Sequence, residues 1–565
     1  MCDKFRFFTF MYPVSIMKTY ILSLLFCIST VMQLFSQDTI SVSLTPGTPG
    51  YKIPSDFAGL SYEKSELNKG IFGTNKDTLI RLLQTLGIQS VRMGGNSVDK
   101  DTFSTNATST HFTKNELDSF YLCMQKAGCK VLMGLNFGGD FDPTLASNEV
   151  AYIMSKYSPI MRGFEVGNEP DLYHSNGLRP TTYTVGNYKT QYSTYQDSIL
   201  KHTPSAIFTG PVAATNYNSF TLPFCRTMHG KFTMLTQHYY VAAAYSLSNH
   251  AQIINLLSAA HQNSLLTEVN ALVNCADSAG VPFRMAECNS LYNGGQWGVS
   301  DSYASSLWTL DYMYALASKK CAGVNFHGAL GGPYSPLSYK NHIYAAQPMS
   351  YGILAFEVGS KGSFIPQSVS NNHINLNVYS TIDSLNNIYT TIVNKDTLTD
   401  GFIELNAGNS SYINAAYILL SATALADTTN ISLGGQTVNA YGTCSAYTWQ
   451  NLTVSNHTCK LFVKAGSAAI IEFSKTALTS IDNMQSSNSD WIVYPNPSNG
   501  EFTIQSPSEE DTNCKVVNSL GQVVEQFKLT KDNNFTHQLK ATEGVYYLIN
   551  EGVSEKNTLK IIVLK

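Results

Sequence analysis

The sequence predicts an α/β protein, a (β/α)8 barrel carrying an appended β-sandwich and a small all-β module at its C-terminus. Three observations lead there. From about residue 57, short β-rich runs alternate with helix-length amphipathic stretches, the pattern of repeated βα units around a parallel sheet. After about residue 360 the helical periodicity stops and alternating strand-like runs take over. A polar stretch rich in Ser and Asn, 479-TSIDNMQSSNSD, then separates a last strand-rich module from the rest.

Eight strand-like runs can be counted in the barrel region: 57-FAGLSYE, 90-SVRMGGN, 130-KVLMGLNFG, 163-GFEVGNEP, 207-IFTGPV, 234-MLTQHYY, 283-FRMAECNS and 323-GVNFHG. Between them lie helical candidates such as 76-KDTLIRLLQTLG, 114-KNELDSFYLCMQKAG, 187-NYKTQYSTYQDSILKH and 302-SYASSLWTLDYMYALASK. Eight such units close a barrel, whose functional groups gather at the C-terminal ends of the strands. Residues 57–357 are assigned to this barrel and 358–476 to the sandwich. The strand-like residues 37–56 are expected to join the sandwich, 477–489 form the linker, and 490–565 the last module.

At 565 residues, with 43% hydrophobic and 13% charged residues, the chain has ample length to bury a large core. A formal net charge of −4 and the lack of a long Lys/Arg run argue against a nucleic-acid partner. The eleven cysteines include no CxxC pair and no His/Cys spacing suited to zinc, so no metal is expected and no disulfide framework can be read. The glycine pairs in 331-GGP and 138-GGD are too short and wrongly positioned for a dinucleotide or phosphate loop, and no cofactor is implied. Residues 17–36, MKTYILSLLFCISTVMQLFS, have the form of a signal peptide, too short for a membrane span. The mature chain is therefore expected to be secreted or at the cell surface. Residues 1–16 read as an extension from a misplaced start codon.

Glycoside cleavage requires a proton donor at the leaving oxygen. In retaining enzymes it also requires a carboxylate about 5–5.5 Å away to attack the anomeric carbon. Glu169, in Asn168-Glu169-Pro170 at the end of strand four, and Glu287, in strand seven, can supply that pair. Glu169 is expected to be the acid/base and Glu287 the nucleophile. Glu165 lies about 13 Å deeper on strand four by period-two counting and is expected to be a hydrogen-bonded core carboxylate. Cys288 should face away from the cleft. Arg92, ending strand two, either orients the nucleophile and lowers its pKa or makes a structural ion pair. His238 and Tyr240 end strand six, where a Tyr hydroxyl can hold the nucleophile and one of the two is expected to be packing.

The segments 57-FAGLSYEK, 91-VRMGGNSVD, 164-FEVGNEPD, 237-QHYY, 284-RMAECNSLYNGG, 306-SLWTLDYMYALA and 323-GVNFHG run in order across the barrel. Together they resemble the clan A glycoside hydrolase family of β-glucuronidases and heparanases. The resemblance implies a β-linked glucuronate in the site and Asn168 at its 2-hydroxyl. It also implies Glu63 at the far hydroxyls, and Tyr292, Asn293, Gly294 and Tyr334 around the carboxylate. The loops after the strands carry few Lys or Arg, unlike the heparanase side of the family. That favours exo cleavage of a terminal glucuronate, or its 4-O-methyl form, from an oligo- or polysaccharide. Other retaining specificities (β-xylosidase, β-glucosidase, arabinofuranosidase), a heparanase-like endo action and a silent glycan-binding protein remain the alternatives.

The last module contains Tyr494-Pro495-Asn496-Pro497, an Asn499-Gly500 turn, Leu520-Gly521 and Gly544-Val545-Tyr546, in that order. It resembles the C-terminal sorting domain of the type IX secretion route of Gram-negative bacteria. This implies the secretion machinery as a partner and no part in catalysis.

Overall fold

The computed structural model describes residues 39–475 and 492–563, apart from 107, 109, 140, 141, 329, 495, 497, 506–510, 519–521, 531–533 and 551–557. The leader, the linker, Pro495, Pro497 and Leu520-Gly521 therefore lie outside the described residues.

Eight parallel strands close a barrel: β1 (Gly59–Glu63), β2 (Ser90–Gly94), β3 (Lys130–Leu135), β4 (Met161–Val166), β5 (Phe208–Ala213), β6 (Leu235–Ala243), β7 (Phe283–Tyr292) and β8 (Val324–His327). Each strand pairs with its sequence neighbours, and β8 closes the ring on β1. A helix follows every strand, from Asp77–Thr85 after β1 to Pro348–Gly359 after β8. The starts are set by local chemistry. The Thr113 side chain and Glu116 form a reciprocal capping box for Lys114–Ala127, satisfying orphan backbone donors of its first turn.

The barrel interior is polar rather than aliphatic. At its floor the fully buried Arg284 donates from Nε to Asn325 Oδ1 (2.6 Å). Its two remaining nitrogens donate to the carbonyls of Asp56, Phe57, Ala322 and Val324 at 3.1–3.2 Å. These bonds use all five guanidinium N–H groups. Burial beside acceptors that are not carboxylates lowers its pKa to about 10. Gly323 leaves the room for it, since a Cβ there would meet Arg284 Nη1 at 2.0 Å.

Helices Tyr303–Ser318 and Pro348–Gly359 are apolar nearly all round and buried on almost every face, as expected of helices covered on both sides. Their outer cover is the sandwich. It has a seven-stranded antiparallel sheet that includes Leu376–Ile382, Ile388–Asn394, Ser467–Ser474 and Asn414–Ser421, and a four-stranded sheet. Strand Ile40–Leu44 lies inside the four-stranded sheet, between Gln367–Ser370 and Gly401–Asn406. A buried ion pair ties barrel to sandwich: Lys395 Nζ lies 2.6 Å from Asp311 Oδ2, and Asn377 and Tyr379 both donate to Asp311 Oδ1 at 2.8 Å.

The C-terminal module is a separate unit with two antiparallel sheets. Its core is formed by Phe502, Ile504, Cys514, Val516, Leu529, Leu548, Ile561 and Val563. Among the described residues no two cysteines are joined in a disulfide. Among the described residues no helix is long and apolar enough to cross a membrane.

Candidate active site

The site is assembled at the C-terminal ends of the strands around one buried guanidinium. Arg92 of β2 is fully buried, and four partners fix it. Nε donates to Glu165 Oε2 (2.6 Å), Nη1 to Glu287 Oε2 (2.6 Å) and to Ser61 Oγ (3.2 Å), and Nη2 to Asn168 Oδ1 (2.9 Å). Short charge-assisted bonds of this kind fix orientation as well as contributing energy. Arg92 thus orients the nucleophile candidate and is also a structural ion pair, since Glu165 lies beneath the site as its second counter-ion.

Glu287 reaches the interior because β7 is bulged. Arg284 faces inward, so strict alternation would turn Glu287 outward, onto the helix side. The pairing with β6 shifts between Met285↔Gln237 and Glu287↔His238, leaving Ala286 as an extra residue. The bulge reverses the facing of the residues beyond it, a device that recurs beside active sites. Glu287 then points into the mouth, and Cys288 packs outside, beside Tyr312 and the Asn325 carbonyl.

Glu169 arrives by a different irregularity. Strand β4 ends at Val166, and Glu169 adopts the left-handed conformation (φ 51, ψ 54). Pro170 disfavours the right-handed helical region for the residue before it, and a non-glycine residue held left-handed costs about 1–2 kcal/mol. The Glu169 N–H bond to the Val212 carbonyl (3.0 Å) and the Leu172 N–H bond to the Glu169 carbonyl (2.9 Å) hold this turn. Strain of this sort concentrates at functional positions.

His238 and Tyr240, two residues apart on β6, face the same side, and each reaches one carboxylate. His238 Nδ1 shares a hydrogen bond with Glu169 Oε1 (3.0 Å), and Tyr240 OH donates to Glu287 Oε1 (2.7 Å). The expectation that one of them is packing is therefore corrected. One oxygen from each of Glu169 and Glu287 and one ring nitrogen of His238 lie within 4.8 Å of one another. A divalent cation could bridge such a triad, but Arg92 already supplies positive charge to Glu287 at 2.6 Å.

On the opposite wall, Glu63 accepts the N–H groups of Ser97 (2.8 Å) and Asn96 (3.2 Å). Tyr334 stacks on Tyr240, with ring centroids 6.5 Å apart and planes at 26°. The loop after β7 runs through three left-handed residues, Asn293, Gly294 and Gly295. A Cβ at Gly295 would meet Tyr334 Cβ at 2.8 Å, so only glycine lets the loop close on that tyrosine. Tyr292 stands on the rim, 46% exposed.

Two site residues were not singled out from the sequence. His327, at the end of β8, bonds Ser61 Oγ through Nδ1 (3.0 Å). Its ring sits between Glu63 (3.5 Å from Nε2) and Glu287 (3.6 Å from Nδ1). Its signal was available, as 323-GVNFHG ends a barrel strand with a titratable side chain. Asp99 accepts the N–H groups of Phe137 and Asn168, supporting the loop that carries Glu169, and its sequence context offers no comparable signal. Burial pushes its carboxyl up to about 6 against those hydrogen bonds.

The electrostatics divide the cluster. Burial alone would raise the pKa of Glu287. The electrostatic pull of the His327 and His238 rings and of the Arg92 guanidinium, with the Tyr240 hydrogen bond, overrides it and holds the carboxyl well below the usual carboxylate range. These groups favour the ionised form of Glu287, the form a carboxylate nucleophile requires. For His327 burial lowers the pKa, but Glu287 and Glu63 outweigh it and raise the value above 6.5. A raised histidine contributes stability that is complete below its ordinary value and lost as pH rises through the raised one. In an NMR titration the His327 ring should hold its proton past pH 6.5, and Glu287→Gln should lower the midpoint. A midpoint below 6.5 in the wild type would contradict these electrostatics.

Known proteins share parts of this chain. Residues 492–564 match the family model of the secretion system C-terminal sorting domain. The type IX sorting module expected from the sequence is thus present, and it marks the chain for secretion or the cell surface. A β-glucuronidase of Aspergillus niger is 25% identical over 200 residues, which are 31% of this chain and 36% of that protein. The chain thus spans only about a third of that relative's length. Among solved structures, a 4-O-α-L-rhamnosyl-β-D-glucuronidase from Fusarium oxysporum aligns with a TM-score of 0.65 and 16% identity, over 76% of this chain and 99% of that one. A family 51 arabinofuranosidase from Xanthomonas axonopodis pv. citri gives 0.60 and 14%, over 77% and 100%. The barrel with its sandwich has the fold of these glycoside hydrolases.

Proposed function

We propose that the protein is a retaining, exo-acting β-glucuronidase that removes terminal glucuronate, or its 4-O-methyl form, from oligo- or polysaccharides. The observation that carries this reading is the juxtaposition of Glu169 and Glu287, with carboxylate oxygens within 4.8 Å. Retaining glycosidases hold their carboxyl groups about 5–5.5 Å apart, and inverting ones hold them farther apart to admit a water.

In the first step Glu287 attacks the anomeric carbon while Glu169 gives its proton to the leaving oxygen. In the second, Glu169 takes a proton from water, which releases the sugar from Glu287. Arg92 and Tyr240 position the two oxygens of Glu287, and His238 steadies Glu169. Asn168, fixed through Oδ1 by Arg92, is assigned to the 2-hydroxyl, and Glu63 to hydroxyls on the far side of the ring. The uronate reading is supported by the wall beside Glu287, where Gly295 closes on Tyr334 and Tyr334 stacks on Tyr240. Hydroxyl and backbone N–H dipoles of Tyr334, Asn293 and Gly294 can hold a carboxylate without a cation. The scarcity of Lys and Arg in the loops after the strands supports exo action on an unsulfated end.

A panel of aryl β-glycosides with an aryl α-arabinofuranoside tests the specificity. The glucuronide should give the highest kcat/KM by about tenfold or more, because a site built for a charged group is left unpaired by its neutral analogue. A preference for xyloside, glucoside or arabinofuranoside would replace this reading with one of the other retaining specificities.

A further inference from the structure

Two loops at the barrel mouth present large aromatic side chains to solvent. Tyr245, just after β6, is 65% exposed; Trp297, just after β7, is 55% exposed; Leu247 beside them is 46% exposed. Exposed aromatics grouped in this way at the rim of a cleft mark a binding surface more often than scattered apolar residues do.

The patch is held rigid by a buried amide. Gln296 is 2% exposed, and its side chain joins the two loops. Oε1 accepts the Tyr245 N–H (2.6 Å), and Nε2 donates to the Leu247 carbonyl (3.2 Å) and to Asn249 Oδ1 (2.7 Å). Asn249 Nδ2 in turn donates to the Trp297 carbonyl (3.1 Å). Tyr245 sits at φ 59, a conformation that a bulky side chain rarely adopts. The fold thus spends hydrogen bonds on keeping a strained, exposed tyrosine in place, which is the pattern expected of a functional position.

The patch is carried by the loops of the same two strands, β6 and β7, that supply His238, Tyr240 and Glu287. Trp297 follows the Tyr292–Gly295 loop by two residues, and β6 and β7 pair up to Ala243↔Tyr292, where the two loops begin. We propose that Tyr245 and Trp297 form a stacking platform for the pyranose rings of the leaving group, a subsite for the glycan beyond the scissile bond. The apolar face of a β-linked pyranose matches a flat aromatic surface, and its hydroxyls stay solvated at the edge. This subsite rests on the glucuronidase reading, and it assigns the chain to extended glycans rather than to small glucuronides.

The test compares β-glucuronyl fluoride, whose leaving group is one atom, with a β-glucuronate-capped tetrasaccharide, in wild type, Trp297→Ala and Tyr245→Gly. Both variants should lower kcat/KM on the tetrasaccharide about tenfold, the loss of one stacked ring, and leave the fluoride unchanged. The Tyr245 hydroxyl also accepts the Trp297 N–H (3.5 Å), so Tyr245→Phe, which keeps the ring and loses that bond, is the structural control and should leave the tetrasaccharide rate unchanged. A merely structural tyrosine would instead lower the melting temperature and both rates together. Equal losses on both substrates, or none on the tetrasaccharide, overturn the platform. If the wild type cleaves neither substrate, the glucuronidase reading fails separately. Calorimetric titration with the same tetrasaccharide then decides the platform: binding weakened in Trp297→Ala supports it, and equal or absent binding in both overturns it.

Discussion

Glu287→Gln should reduce turnover of an aryl β-glucuronide by roughly 10^4-fold or more, about 5.5 kcal/mol of lost transition-state stabilisation. The physical reason is specific to this pocket. The carboxylate accepts from Arg92 at one oxygen and from Tyr240 at the other, so its lone pairs are aimed and its charge is maintained in a buried place. An amide in the same volume can still accept from Arg92, and its NH2 can turn to the Tyr240 hydroxyl oxygen. The fold therefore survives, with Glu165 left as the counter-ion of Arg92. The loss is that of the anion able to form the covalent glycosyl bond. Steady-state rates with circular dichroism as a fold control check this, and near-wild-type turnover would remove Glu287 from its role.

Glu169→Gln should divide substrates by leaving group. If Glu169 is the proposed acid, an oligosaccharide needs its proton, and cleavage should fall by about 10^2–10^4-fold. β-Glucuronyl fluoride needs little protonation, so Glu287 is still glycosylated, but no base then activates water. The variant should accumulate a glucuronyl ester, visible by mass spectrometry as an adduct on the β7 peptide that carries Glu287. Equal losses on both substrates with no adduct would mean that Glu169 has another task.

The barrel is legible because each of its strands reads as a short β-rich run, mixing apolar with polar residues, between helical periods, so strand order can be counted from the sequence. The pair Glu169 and Glu287 was legible for the same reason. Period-two counting could not supply how each glutamate comes to face the mouth. On β7 the inward facing of Glu287 depends on the extra residue at Ala286, and no residue type announces a bulge there. After β4 the left-handed turn at Glu169, rather than strand alternation, sets its direction, so Glu165 and Glu169 are not two positions of one regular strand. Residue type at a strand end does not separate a functional from a packing role for His238 and Tyr240, although their spacing puts them on a common face. The sequence leaves Arg92 between two roles, and its guanidinium has enough donors to reach Glu165, Glu287 and Asn168 at once. The Gln296 link between two loops was not legible at all, since it joins residues about fifty positions apart through a single buried amide.

The same electrostatics make the site demanding to build. Arg92 holds two buried carboxylates, and His327 stands between Glu63 and Glu287. Removing one member of such a buried set typically costs about 3–5 kcal/mol, because a charge is left unpaired. The chain keeps this arrangement at the centre of its barrel, where an aliphatic core would be simpler to assemble.

The proposed double displacement uses the short separation of Glu169 and Glu287 to form a covalent intermediate, and the anomeric configuration of the first product tests that proposal most directly. Proton NMR of a β-glucuronide reaction, recorded before mutarotation, should reveal β-glucuronic acid first, with the α-anomer appearing only as the sugar equilibrates. If the α-anomer is formed first, the two glutamates act across a water rather than through a covalent intermediate, and double displacement is contradicted.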